Sequence, residues 1–108
     1  MKPEVVENRE LLLGICAAGR GYIYNDTEWC LHLPQCGIIK RMKPEPTPPS
    51  YNFVEGEPYP SGRNRGATAF FDGSYDEVKD WLDKWRPGWW TCGRPECFGS
   101  TLHSGAKP

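Results

Sequence analysis

The segments His32-Leu-Pro-Gln-Cys36 and Cys92-Gly-Arg-Pro-Glu-Cys97 decide how this sequence is interpreted. Each one places two potential metal ligands at the ends of a short stretch that contains proline, glycine or both, which favours a tight turn. A tetrahedral zinc site needs four such ligands, commonly supplied as two close pairs from separate parts of the chain. The sequence therefore predicts one structural zinc ion, held by His32, Cys36, Cys92 and Cys97.

Cys30 is an alternative to His32 as the fourth ligand. Cys30 lies two residues before His32 on a predicted strand, so both side chains face the same side of that strand. Cys30 would complete a Cys-x5-Cys pair in place of His-x3-Cys. We favour His32, and Cys30 stays open as the alternative ligand. Cys16 is interpreted as a buried small apolar residue, and His103 is an outside candidate in the tail.

The composition explains why a metal would be needed. Only 19 of the 108 residues are Leu, Ile, Val or Phe, whereas 12 are Gly and 11 are Pro. A small, loop-rich domain with so few aliphatic residues usually depends on disulfides or a metal ion for stability. The five cysteines are an odd number, which fits poorly with a complete set of disulfides.

The cellular compartment bears on the same choice. The apolar run at residues 11–18 is too short to span a membrane, which takes about 20 residues, and Glu7 and Glu10 precede it where a signal peptide carries positive charge. We therefore expect a cytoplasmic protein with no membrane association and with reduced thiols. The alternative for Cys92 and Cys97 is a local disulfide or a pair of core thiols.

The pattern of residues predicts a mixture of helices and strands. Residues 4–18 are compatible with a helix ending at Gly19, with a strand over 11–16 as the alternative. Residues 22–24 and 28–33 read as a hairpin around Asn25-Asp26, and 67–71 as a strand. The clearest helix follows the capping box Ser74-Tyr-Asp-Glu77. Its apolar stripe, with i, i+3, i+4 and i+7 spacing, consists of Val78, Trp81, Leu82 and Trp85.

These elements predict a single α+β domain over residues 1–108. It is a small zinc-stabilised domain with a short antiparallel sheet, one clear amphipathic helix and long irregular loops. The zinc module spans about 20–100. Residues 43–66 contain six prolines and are expected to form a long surface loop, either functional or disordered. Residues 103–108 are expected to form a frayed tail.

Several of these segments together resemble the Ada-type metal-binding domain, named for a bacterial DNA alkylation-repair protein. The resemblance rests on Trp29-Cys-Leu-His32-Leu-Pro-Gln-Cys36-Gly-Ile-Ile-Lys-Arg41, Ala69-Phe-Phe71, the helix from Tyr75, and Trp90-Thr-Cys92 to Cys97, in that order. It implies the zinc fold. The chain departs from the family in its four-residue spacing between Cys92 and Cys97 and in its longer loop at 43–66.

A third departure concerns the activity. His32 occupies the position that resembles the methyl-accepting cysteine of the repair protein, and an imidazole cannot replace a zinc-bound thiolate as that acceptor. The resemblance therefore argues against repair activity. Members of the family that have histidine at this position look like accessory binding domains attached to nucleases and other modules. With all four zinc positions filled, no site remains for an activated water, and we expect no enzyme activity.

We expect a zinc-stabilised nucleic-acid-binding accessory module, although the net charge of −1 is low for such a protein. The basic residues that we expect to make contact are Lys40, Arg41, Lys43, Arg63, Arg65 and Arg94. The aromatic residues that we expect to stack on bases are Tyr51, Phe53, Tyr59, Trp89 and Trp90. The alternative is a small inhibitor or adaptor that binds a protein through exposed aromatic residues and the Pro-rich loop.

Overall fold

A five-stranded sheet organises the part of the chain that the computed structural model describes, residues 3–44 and 68–101. Its strands are β1 (Glu4–Val5), β2 (Tyr22–Asn25), β3 (Cys30–His32), β4 (Thr68–Phe71) and β5 (Trp90–Thr91), in the order β1-β4-β2-β3-β5. Every neighbouring pair is antiparallel except β3 and β5, which are parallel. The predicted α+β class is confirmed, and the sheet is mostly antiparallel.

The hairpin of β2 and β3 forms as the sequence predicts. The Asn25 side chain accepts hydrogen bonds from the backbone N–H groups of Thr27 and Glu28, which is how an asparagine stabilises a local turn. Ile23 pairs with His32 and Asn25 pairs with Cys30. Because side chains alternate along a strand, this register places Cys30 and His32 on one face of the sheet.

The first helix, α1 (Arg9–Ala18), is shorter than the predicted 4–18. The Asn8 side chain accepts a hydrogen bond from the Leu11 N–H and so caps the first turn, while Gly19 ends the helix in the left-handed conformation, with φ of 70°. The residues before Asn8 instead extend the sheet through β1. The alternative of a strand over 11–16 is therefore wrong.

Of the other two helices, the sequence pattern predicted one and not the other. The helix α3 (Tyr75–Trp85) begins at Ser74, and the predicted capping box between Ser74 and Glu77 is formed in both directions. The helix α2 (Gly37–Arg41) was not predicted. Its five residues include Gly37 and two β-branched isoleucines, which are weak helix formers. Packing of Ile39, which is fully buried, accounts for its formation.

The helices lie on opposite faces of the sheet. Tyr24, Leu31 and Phe71 enter one buried cluster together with the α3 residues Val78, Trp81 and Leu82. The residues next to these on the strands point to the other face. Ile23 and Cys30 enter the second buried cluster with Leu12 of α1 and Ile39 of α2, and the partly buried Phe70 packs against it. The domain therefore has three layers, and the side chains of Cys30 and His32 both face the layer of α1 and α2.

A buried ion pair joins the hairpin to the end of α3. Arg86 Nε donates to Asp26 Oδ1 over 2.9 Å, and the two side chains are only 5% and 4% exposed. The Arg86 guanidinium also lies 5.5 Å from the centre of the Trp81 ring. Neither residue belongs to a predicted site. None of the helices among the described residues has the length and apolar character that a membrane span requires.

Loss of this ion pair is predicted to destabilise the domain strongly. Asp26→Ala would leave the Arg86 charge buried without its carboxylate, and breaking such a pair costs about 3–5 kcal/mol. The matched control is Asp72→Ala, which removes the exposed Arg20–Asp72 pair and should cost no more than about 1 kcal/mol. Chemical denaturation measures both values. Equal effects of the two substitutions would contradict a special role for the buried pair.

Candidate metal centre

Four different structural features position the four predicted ligands. His32 is the last residue of β3, Cys36 directly precedes α2, and Cys92 directly follows β5. Cys97 lies in the turn after Cys92, where its N–H donates to Arg94 O over 2.9 Å. The parallel pairing carries Cys92 alongside β3, since the Cys92 N–H donates to Leu31 O over 3.0 Å. The sheet thus brings the two halves of the site together.

The donor atoms of these residues converge into one buried group. One atom each from His32, Cys36, Cys92 and Cys97 lies within 4.8 Å of all the others, an arrangement that could hold a metal ion. The side chains are between 0% and 8% exposed. The Cys36 and Cys92 sulfurs are 3.8 Å apart, far more than the ~2.05 Å of a disulfide bond, and all five cysteines are free.

The structure distinguishes His32 from Cys30 by position. Both face this side of the sheet, but the group of four contains His32 and leaves Cys30 out. His32 Nδ1 lies 3.5 Å from Cys36 Sγ, so this nitrogen is the one directed at the sulfurs. Cys30 Sγ has a 3.9 Å contact with Leu31 O instead. Cys16 is half-buried and outside the group, and His103 lies outside the described residues.

Burial sets the protonation states before any metal binds. It lowers the pKa of His32 to about 4, so the ring is neutral at pH 7, as a metal ligand must be. Burial also raises the pKa of the Cys97 thiol to about 12, in spite of a hydrogen bond from the Leu33 N–H that favours the thiolate. A buried thiolate here requires a nearby positive charge, which a metal ion supplies.

Hydrogen bonds around the ligands hold the two halves of the centre in register. The Leu33 N–H donates to Cys97 Sγ over 3.2 Å. Glu96 Oε2 accepts from the Gly37 N–H over 3.0 Å and from Arg94 Nε over 2.5 Å. The approach to Gly37 is so close that a Cβ there would lie 2.9 Å from Glu96 Oε2. The Arg94 hydrogen bond is the largest cause that lowers the pKa of Glu96 to about 2.

The predicted contact residues are only partly described. Lys40, Arg41, Lys43 and Arg94 are all exposed, whereas Arg63 and Arg65 lie outside the described residues. Arg9 joins this basic group: its guanidinium donates to Lys40 O over 2.7 Å and to Met42 O over 2.8 Å. The sequence carried no signal for Arg9, because the contact depends on how α1 packs against the end of α2.

Of the aromatic residues predicted to stack on bases, the structure describes Trp89 and Trp90. Trp89 is only 1% exposed, and its indole N–H donates to Asp83 Oδ1 over 2.7 Å. The expectation that Trp89 contacts bases is therefore wrong, because the ring packs in the cluster beneath α3. Trp90 is partly exposed, and its indole N–H donates to Glu28 O. Tyr51, Phe53, Tyr59 and the rest of the Pro-rich loop beyond residue 44 lie outside the described residues.

Comparison with known proteins identifies no relative. No model of a known protein family matches the chain. No curated protein and no solved structure matches it either. The resemblance to the Ada-type domain therefore rests on the sequence segments alone. The structure shows a buried group of one histidine and three cysteines that could hold a metal ion.

Removal of the Glu96 carboxylate is predicted to weaken metal binding. Glu96→Ala frees the Gly37 N–H beside Cys36, and loss of an outer hydrogen bond of this kind lowers metal affinity by roughly 10–100-fold. Glu96→Gln keeps an acceptor oxygen at the same place and should lose less. Competition with a chromophoric chelator measures the affinities. An unchanged affinity in Glu96→Ala would show that the ligands hold their positions without this brace.

Proposed function

We propose that the group of four binds one zinc ion. In a tetrahedral site, bonds of about 2.3 Å to sulfur and about 2.0–2.1 Å to nitrogen imply S···S separations of about 3.8 Å and S···N separations of about 3.5 Å. The Cys36–Cys92 and Cys36–His32 distances are 3.8 and 3.5 Å. Thiolates with one imidazole are also a donor set that suits zinc. These distances support a tetrahedral ion held through His32 Nδ1.

The proposed zinc has a structural role. Four buried protein ligands fill a tetrahedral shell, and catalytic zinc sites need an open position for water or substrate. His32 supplies an imidazole where a methyl-accepting site would need a thiolate. The zinc would neutralise buried thiolates and tie β3, α2 and the segment after β5 together. On this proposal the module has no catalysis of its own.

We further propose that the module binds nucleic acid through the basic residues around α2. The observation that carries this proposal is their convergence beside the metal centre. A Cβ built on Gly37 would lie 3.9 Å from Arg41 and 3.6 Å from Arg94, so the two guanidinium groups approach the same point. Arg9 reaches the opposite end of the helix. We define the α2 basic surface as the exposed residues Lys40, Arg41, Lys43 and Arg94 together with the partly buried Arg9.

The low net charge is compatible with such a surface because several of the exposed carboxylates lie on another face of the domain. The exposed carboxylates Asp76, Glu77 and Asp80 lie on α3, across the sheet from α2. A local basic group can attract phosphates while acidic residues elsewhere balance the total. Arg94 is the weakest member, since its guanidinium already pairs with Glu96. Lys40, Arg41 and Lys43 therefore carry most of the proposed phosphate contacts.

A protein-binding role is the second candidate, and one observation favours it. Leu11 and Leu13 of α1 are 52% and 42% exposed, which is high for leucines in a chain with few aliphatic residues. They belong to the helix that packs against α2. Against this role, the burial of Trp89 removes one of the aromatic residues on which the alternative depended. A partner that covers Leu11 and Leu13 would bind without steep salt dependence.

Charge reversal tests the nucleic-acid proposal. Lys40→Glu/Arg41→Glu should weaken binding of the zinc-loaded chain to a mixed-sequence DNA duplex, measured by fluorescence anisotropy over a range of salt concentrations. The log–log salt slope of the wild type should fall by about 0.9 for each phosphate that the variant no longer neutralises. The matched control is Lys79→Glu/Lys84→Glu on α3, with the same change of charge. The proposal would be contradicted if the DNA affinity of the wild type did not fall as salt rises, or if both variants weakened binding equally.

A further inference from the structure

Cys30 is the one buried cysteine that the proposed zinc site does not use. Its side chain is 2% exposed and packs in the same cluster as Cys36, Cys92 and Cys97. Four thiols therefore gather at the centre, although only three belong to the compact group.

The second ring nitrogen of His32 has no hydrogen-bond partner in the described part of the chain to hold the ring in place. Its Nδ1 is directed at the sulfurs, but Nε2 is buried and has no hydrogen-bond partner among the described residues. A ligating histidine normally donates its second N–H to a carbonyl or carboxylate, which fixes the ring. Cys97, by contrast, accepts a hydrogen bond from Leu33. Loss of the bond between His32 and the metal would break no other hydrogen bond of that ring.

The positions of the two residues make an exchange feasible. Cys30 and His32 alternate with Leu31 on β3, so they extend from the same face two residues apart. Cys30 lies beside Trp90 in the parallel register, two residue pairs before the level of Cys92, and His32 lies at that level. Soft ions prefer thiolate to imidazole, so such an ion would favour the Cys30 sulfur over the His32 ring.

We propose that the centre also binds soft, thiophilic divalent cations through four sulfurs, with Cys30 taking the place of His32. The donor set is then Cys30, Cys36, Cys92 and Cys97, instead of the His32 set that holds zinc. This inference rests on the proposed metal site. It assigns Cys30 a role as a reserve ligand and gives the centre two coordination states that differ in one residue of β3.

Proton release separates the two states. Each cysteine ligand binds as a thiolate and gives up a proton, whereas the neutral His32 gives up none. The apo chain is titrated with zinc or cadmium alone, and protons are counted with a pH-indicator dye. Zinc should release about three protons and cadmium about four in the wild type. Three protons with cadmium would overturn the proposal while the zinc site stands, and failure to bind zinc would refute the zinc site instead.

Variants identify the fourth sulfur. Cys30→Ala should release about three protons with either ion and lose about a quarter of the ultraviolet sulfur-to-cadmium charge-transfer absorbance, because one thiolate in four is gone. Cys30→Val is a second variant if the alanine leaves a cavity that prevents folding. The matched control, Cys16→Ser, removes another nearby thiol and should behave as the wild type. If the fourth proton disappears in Cys16→Ser but remains in Cys30→Ala, the assignment is overturned.

His32→Ala tests the exchange itself. Cadmium should still release about four protons in this variant, while zinc affinity falls by more than about tenfold because the zinc set is short of one ligand. An equal fall in affinity for the two metals would contradict the exchange. Four protons released by zinc in the wild type would place Cys30 in the zinc set and contradict both the exchange and the His32 assignment.

Discussion

The burial of His32, Cys36, Cys92 and Cys97 in one group is the constraint on which the rest of the domain depends. Thiolates and an imidazole are costly to bury unless their charges and polar atoms are paired. Half of the buried residues in the cluster on the α1 and α2 side of the sheet are cysteines. A structural zinc ion supplies about 10–16 kcal/mol of apparent binding free energy in small domains, comparable to a whole domain's ~5–15 kcal/mol of stability. On the proposed function, the ion takes the place of the missing aliphatic core.

The two faces of the sheet are stabilised by different chemistry. The α3 face packs aromatic rings, and its buried polar contacts include the Asp26–Arg86 pair and the bond from Trp89 to Asp83. The other face holds the group of four that could bind a metal ion. Three exposed carboxylates of α3, those of Asp76, Glu77 and Asp80, lie on the face opposite the α2 basic surface. The proposed nucleic-acid contact therefore lies on the face whose geometry would depend directly on the proposed zinc ion.

Local patterns in the sequence predicted the local elements of the fold. The turn at Asn25 gave the β2–β3 hairpin, and the Ser74–Glu77 capping box gave α3, because their determinants lie within a few residues. The parallel pairing of β3 with β5 joins distant segments, and α2 forms through tertiary packing, so neither was predictable. The spacing of the ligand pairs was enough to propose the four that converge. It favoured His32 but left Cys30 open as the alternative, since both share one face of β3.

Thermal unfolding with and without a tight chelator tests the central claim most directly. Circular dichroism should record a cooperative transition for the zinc-loaded chain, with one zinc per chain counted in the same sample. Excess chelator should abolish that transition at ordinary temperatures, because the apo cluster buries thiols and an imidazole without the ion that pairs with them. A sharp transition at an unchanged temperature in excess chelator, with the zinc removed, would contradict the claim that the metal holds this fold together.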